Sequence, residues 1–328
     1  MFALFRRRKS DAPRPRAGCF GKIPAFGDFL RRHAADAAFR DFDRRLAEGL
    51  LASQRRLGEL FPALYDRTPP TRILHLPPAP APPLAAYCIA SSDKVGRRYP
   101  FTVFSRIETT GAERSAASLL TALEPFFTRA RHLAASVHNG LSRQAIFERL
   151  DRLAFGEASR PRHDALDQWL ASRTDDELYR EAFGGGRQER GRRILERLAR
   201  RLSAPPRPAV VVKLPPCRRA GDAGFWLAAV ERLAGEGWPP RLVLWGEDLP
   251  GAPPALTVVL GTSSRGNLTL LFDPLPEGPG VLDVSLEADP VSRPGAEILP
   301  SSGGNPHALL EVLAMLSDAS APSFSRVA

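Results

Sequence analysis

No hydrophobic run in the 328-residue sequence is long enough to cross a membrane. A spanning helix needs roughly 18 consecutive apolar residues, and Arg, Asp or Pro interrupts every stretch here. Cysteine is scarce: Cys19, Cys88 and Cys217 lie far apart, odd in number and without a CxxC pair. That pattern excludes a disulfide framework and a zinc ribbon, and it fits a reducing cytoplasm. Secretion is not expected, because the basic cluster Arg6 to Lys9 is followed by Asp11, Pro13, Arg14 and Pro15 where the apolar segment of a leader belongs. Lysine is nearly absent, with four residues, so the formal charge of +10 is carried almost entirely by arginine. Abundant Ala and Pro accompany it, a bias that a GC-rich genome explains in part.

The motifs of common chemistries are absent as well. GCFGK at residues 18–22 lacks the first glycine and the Ser or Thr of a phosphate loop, and neither GxGxxG nor GxSxG occurs. His132 and His138 are six apart, where helix-borne metal ligands need four. The acidic run Asp175 to Glu177 follows Thr174 and is accounted for as favourable charge at a helix N-terminus. The histidines and Cys88 are expected to be core or surface filler. No catalytic residue, metal ligand or cofactor is expected, and an active site assembled from distant segments is the remaining enzymatic alternative.

With 43% hydrophobic residues the chain has ample material for a core. Its charge is local: residues 1–16 carry +5, residues 187–201 carry +5, and the remainder is neutral. These two segments carry the competing reading, a basic-surface binder of nucleic acid or anionic membrane. From Asp36 to Phe61, Phe39, Phe42, Leu46, Leu50, Leu57 and Leu60 recur three or four apart and predict an amphipathic helix. Strands are predicted at 72–76, 84–90 and 99–107; the tract PPAPAPP at 77–83 is a stiff connection or a partner ligand. Residues 113–203 are helical in pattern, with a break at Pro125, stops at Gly140 and Gly156, and a Thr174/Glu177 capping box. After Gly184 to Gly186 comes an arginine-rich helix with the apolar stripe Ile194, Leu195, Leu198 and Leu202. Strands return at 209–214, 241–245, 256–260 and 267–272, the last two as a hairpin, and a helix at 222–236 makes a βαβ unit of the first two. A final helix opens at Asn305-Pro306. The fold class is α/β: a mixed central sheet built from both halves of the chain, with helices on its faces. The domain plan is a basic disordered tail at 1–16, an α/β domain at 17–275 that includes the helical segment 113–203, and a Pro/Gly-rich extension at 276–328 with a C-terminal helix.

Two segments combine glycine, proline, aromatics and charge more densely than strand or helix patterning explains: GCFGKIPAFGDFL at 18–30 and SSDKVGRRYPF at 91–101. Asp93 and Arg97 are close enough in the second to pair. Both are either turns held by local ion pairs or parts of a binding surface. Here the sequence resembles a known family. GCFGKIPAFGDFLRR is similar to the opening signature of the TagF (ImpM) proteins, residues 39–58 continue the match, and SSDKVGRRYPFTV resembles their second signature, with Lys94 in place of the usual Arg. A weaker likeness recurs at 241–261, while 113–203 and 275–328 fall outside it. The resemblance implies a three-layer α/β/α sandwich and an accessory role in bacterial type VI secretion. It further implies a non-catalytic, post-translational repressor of apparatus assembly that acts by binding the system's forkhead-associated scaffold protein. The partner-binding candidates are Lys22, Asp28, Phe29, Asp93, Lys94, Arg97 and Arg98, and the segments Lys22 to Phe29 and Asp93 to Tyr99 are expected to approach one another. Specific nucleic-acid readout and membrane spanning are not expected.

Overall fold

The computed structural model describes residues 17–35, 37–107, 115–153, 164–183, 187–202, 209–235, 237–250, 254–261, 265–273, 280–285 and 307–320. The expected 1–16 tail, the stop at Gly156, the glycine run Gly184 to Gly186 and the Asn305-Pro306 cap lie outside these residues.

The strands are β1 (Gly18–Gly21), β2 (Leu30–Arg32), β3 (Thr71–His75), β4 (Leu84–Ile89), β5 (Phe101–Arg106), β6 (Ala209–Leu214), β7 (Pro240–Gly246), β8 (Leu256–Gly261) and β9 (Val281–Asp283). They form one nine-stranded sheet in the order β2-β1-β5-β4-β3-β7-β8-β6-β9, so strands from both halves do join. Neighbours are antiparallel except β6 and β9, which makes the sheet mixed. The helices are α1 (Ala37–Leu57), α2 (Phe61–Asp66), α3 (Ala116–Ala122), α4 (Glu124–Val137), α5 (Arg143–Arg152), α6 (Ala165–Ala171), α7 (Asp175–Phe183), α8 (Arg187–Leu202), α9 (Ala220–Ala234) and α10 (Leu309–Ser320).

Strand periodicity divides the core in two. Ile73, Ala86, Phe104, Leu244 and Val259 face α1, α2 and a 3-10 segment at Arg265–Leu271. Leu74, Tyr87, Val103, Trp245 and Val258 face the layer built from α3 to α10. The result is the three-layer α/β/α sandwich. In α1, Phe39, Phe42 and Leu46 bury one face, and Phe39 stacks on Phe104 with ring centroids 3.7 Å apart. Burial of each such side chain contributes about 1.5–3 kcal/mol. Pro125 falls in the first turn of α4, and the Thr174/Glu177 capping box is made reciprocally, by N–H to Oε2 at 3.0 Å and N–H to Oγ1 at 3.4 Å. On α8, Leu195, Leu198 and Leu202 are buried as the stripe predicts.

Three expectations are corrected. Residues 267–272 are not a strand paired with β8 but lie in the 3-10 segment and the turn after it. Leu268, Leu271 and Phe272, at helical spacing, point at α1. Residues 18–21 and 30–32, expected within turns, are strands bracketing a turn, with β2 at the sheet edge and β1 paired on both sides. Leu60 is not core: the chain leaves α1 through Gly58 at φ 53°, and Leu60 turns outward, 66% exposed. The βαβ unit also has an insertion, since β8 lies between β6 and β7. Beyond residue 275, β9 completes the sheet beside β6, and α10 packs Leu309, Leu313 and Leu316 into the core that α9 shares.

Candidate functional site

The ends of β1, β4 and β5 bring the two dense segments together. β1 pairs with β5, so Gly21 meets the start of the strand that follows the 91–98 loop. Gly21 has φ 140°, and a Cβ there would lie 2.2 Å from the Pro100 carbonyl oxygen, so only glycine fits. Lys22 then projects inward, and its Nζ donates to Asp93 Oδ2 at 2.9 Å. Lys22 and Asp93 are both buried.

Asp93 is fully engaged. Oδ2 also accepts from Arg97 Nε at 2.7 Å, while Oδ1 accepts the backbone N–H groups of Val95 at 3.1 Å and Arg97 at 2.9 Å. Burial pushes its carboxyl pKa up, but the hydrogen bonds from Lys22, from Arg97 and from Val95 outweigh burial and hold it well below the ordinary carboxylate range. Further bonds knit the segments: Arg97 Nη2 donates to the Gly27 carbonyl at 2.6 Å, and the Lys94 N–H donates to the Phe26 carbonyl at 3.0 Å. The Lys94 stem lies over Gly27, where a Cβ would come within 2.9 Å of its Cε. An aromatic group supports the whole, since Phe29 stacks on Phe20 at 5.0 Å and meets Tyr99 edge-on at 5.1 Å, and the Tyr99 hydroxyl donates to Asp43 on α1.

The structure therefore unites Lys22, Phe29, Asp93, Lys94 and Arg97, and the two segments do approach one another. Asp28 is exposed and caps its own turn, accepting the Phe29 N–H at 2.7 Å. Arg98 points elsewhere, in a two-point pair with Asp66 at 2.9 and 2.7 Å. Sequence reading missed Tyr65, whose hydroxyl donates to the Ser91 carbonyl at 2.9 Å and accepts the Ser91 N–H at 3.1 Å. No local signal marks a contact between α2 and a residue 26 positions further along the chain.

A second ionic cluster was also missed. On β3, Arg72 lies 4.2 Å from the Trp245 ring centroid, with Nη2 3.7 Å from Glu124 Oε1 and 3.6 Å from Glu247 Oε1. Arg72 Nε, Glu124 Oε2 and Glu247 Oε1 are buried without a hydrogen-bond partner among the described residues. An apolar hollow of about 320 Å³ opens between β6, β7 and β8, lined by Pro69, Leu214, Leu244, Leu256 and Leu271 with Asp283 at its wall; none of the sequence candidates lines it. Among the described residues no group of three or more His, Cys, Asp or Glu side chains is placed to hold a metal ion. Nor is any of their helices long and apolar enough to cross a membrane.

All four hydrogen-bonding positions of Asp93 are occupied, so its carboxylate is held in place from every side. The cluster has a fixed shape that presents Lys94, Val95 and Arg97 outward.

The family model for the TagF N-terminal domain, type VI secretion system-associated, matches residues 18–153, a span that contains every sequence candidate. No curated protein matches the chain. Among solved structures, the crystal structure of PA0076 from Pseudomonas aeruginosa PAO1 is similar at 17% identity with a TM-score of 0.46, over 80% of this chain and 96% of that one.

Proposed function

Because residues 18–153 belong to the TagF N-terminal domain family, which gives the chain an accessory place in type VI secretion, we propose that it is a non-catalytic regulator that restrains apparatus assembly by binding another protein. The observation that carries this reading is the unit at Lys22 to Phe29 and Asp93 to Arg97. Its buried charges, with Arg97, fix the two turns against each other, while Lys94 and Val95 stand exposed for contact. The partner is the forkhead-associated scaffold of the same secretion system, met in the cytoplasm.

Two buried thiols and one buried imidazole support a non-catalytic role. Burial pushes the Cys19 and Cys88 thiols up to about 12 and the His75 imidazole down to about 4, so none is poised for proton transfer or attack near neutral pH. The basic-surface alternative draws on α8. There Arg193 pairs with Glu189, Arg192 lies 3.7 Å from Glu196, and the Arg190 guanidinium is 4.4 Å from the Phe183 ring centroid. Charges engaged in this way form a weaker phosphate-binding stripe than the sequence count suggests.

Isothermal titration of the purified chain against the purified scaffold, beside a count of assembled apparatuses in cells lacking the chain, tests the proposal. The expected results are a stoichiometric complex and more assemblies on deletion. No heat of binding together with an unchanged count would overturn it.

A further inference from the structure

Val95 stands at the summit of the 93–97 turn and is 66% exposed, although its N–H is fixed on the Asp93 carboxylate. A valine on a slack loop loses conformational freedom when it binds. Here the backbone of the turn is already held by hydrogen bonds to Asp93, and a preorganised contact binds more tightly for the same area. Pro24 and Ala25, both exposed, lie in the facing turn, which is joined to the summit through the Phe26 carbonyl and the Lys94 N–H. Together these residues make a small, rigid apolar cap.

The charge around the cap is predominantly positive. Lys94 and Arg97 flank Val95, and Arg143 adds a guanidinium 5.3 Å from the Phe26 ring centroid. Lys94 Nζ has no carboxylate within ion-pair distance among the described residues. On the other side, Asp93 is internal and already saturated, which leaves Asp28 as the exposed carboxylate of the unit.

We propose that this tip docks on an acidic protein surface that has a shallow apolar socket: Val95 fills the socket, and Lys94 and Arg97 face carboxylates on its rim. Charge complementarity steers the encounter and excludes basic surfaces, while the valine supplies the desolvated centre. This proposal rests on the reading that the chain works by binding a protein.

The test is site-specific photo-crosslinking in the host. A benzophenone amino acid is placed at Val95 and, in separate strains, at the exposed positions Leu60 and Arg200; each is combined with native Lys94 or with Lys94→Glu. Melting temperatures of the purified variants confirm that all are folded. The expected result is a protein adduct at position 95 whose yield falls at least about tenfold with Lys94→Glu, since like charges brought together at an interface cost more than the ~1.4 kcal/mol that a factor of ten represents. An adduct at 95 that is indifferent to Lys94→Glu, or that a nuclease or lipase removes, overturns the acidic-protein assignment. Adducts at Leu60 or Arg200 with none at 95 overturn it as well, yet leave the protein-binding reading standing. No protein adduct at any of the three counts against both.

Discussion

At one end of the central sheet, two ionic clusters start from neighbouring strands and are built differently. Around Asp93, every acceptor position meets a donor at 2.7–3.1 Å, and two of those donors are backbone N–H groups. Around Arg72, the guanidinium stands 3.6–3.7 Å from two carboxylates, and three buried polar atoms have no partner. Both clusters hold charges away from water, but only the first recovers the desolvation cost through hydrogen bonds. A saturated cluster fixes backbone. A loose one fills space between strands, and its charges are closer to dispensable.

Substitutions should separate the two. Lys22→Met removes a buried cation whose partner stays behind, and about 3 kcal/mol should be lost in urea denaturation. That is the low end for breaking a buried pair, because Arg97 and two N–H donors still serve Asp93. A loss under about 1 kcal/mol would place the pair among ordinary surface bridges.

The pH dependence of the two clusters should have opposite sign. Asp93 titrates in the native chain below its ordinary 3.8, so its contribution is complete above 3.8 and is lost as pH falls through that value toward the native one. Glu124 is raised above its ordinary 4.5, chiefly by burial and against the lowering effect of Arg72. Its native carboxyl binds the proton more readily than the unfolded one, so its term favours the fold most below 4.5 and is lost as pH rises through the native value. Melting temperature followed against pH should show a flatter acid limb below 3.8 in Asp93→Asn, whereas Glu124→Gln should remove a gain that wild type makes on acidification toward 4.5.

Smaller effects follow. The double variant Arg72→Met with Glu247→Met removes charges from both sides of the loose cluster and should fall within about 1 kcal/mol of wild type by denaturation, since apolar replacement of a poorly bonded buried pair is often neutral. A loss above about 3 kcal/mol would show that the cluster is tighter than its distances. Lys94→Ala and Val95→Ala should each lie within about 0.5 kcal/mol, because neither side chain supports the fold.

Where one residue type carries the pattern, the structure could be read from sequence. The apolar spacing of α1, the Thr174/Glu177 box and the β-branched run at 209–214 each depend on near neighbours, and all three are as expected. Asp93 and Arg97 are four apart and pair as their spacing suggests. The 265–271 segment misled because Leu-Thr-Leu-Leu-Phe has strand composition, while the signal that decides is the spacing of Leu268, Leu271 and Phe272 against α1. Strands β1 and β2 are too short for periodicity to register, and glycine obscures what remains in β1. Within the site, the charged candidates were legible because charge is conspicuous in a glycine-rich turn. That Lys22 reaches Asp93, 71 residues away, follows only from the β1–β5 pairing. Arg72, Glu124 and Glu247 come from three segments, each ordinary by itself, and no local feature predicts their meeting.

The account depends on the 93–97 turn being rigid in the free protein, and amide hydrogen exchange at Val95 and Arg97 measures that directly. Both N–H groups donate to Asp93, so despite lying on an exposed loop they should be protected in wild type. In Asp93→Asn they should exchange at least about tenfold faster while the amides of α1 stay unchanged, as expected when a charged acceptor becomes a neutral one. Exchange of both amides in wild type at the rate of an unstructured loop would contradict the account.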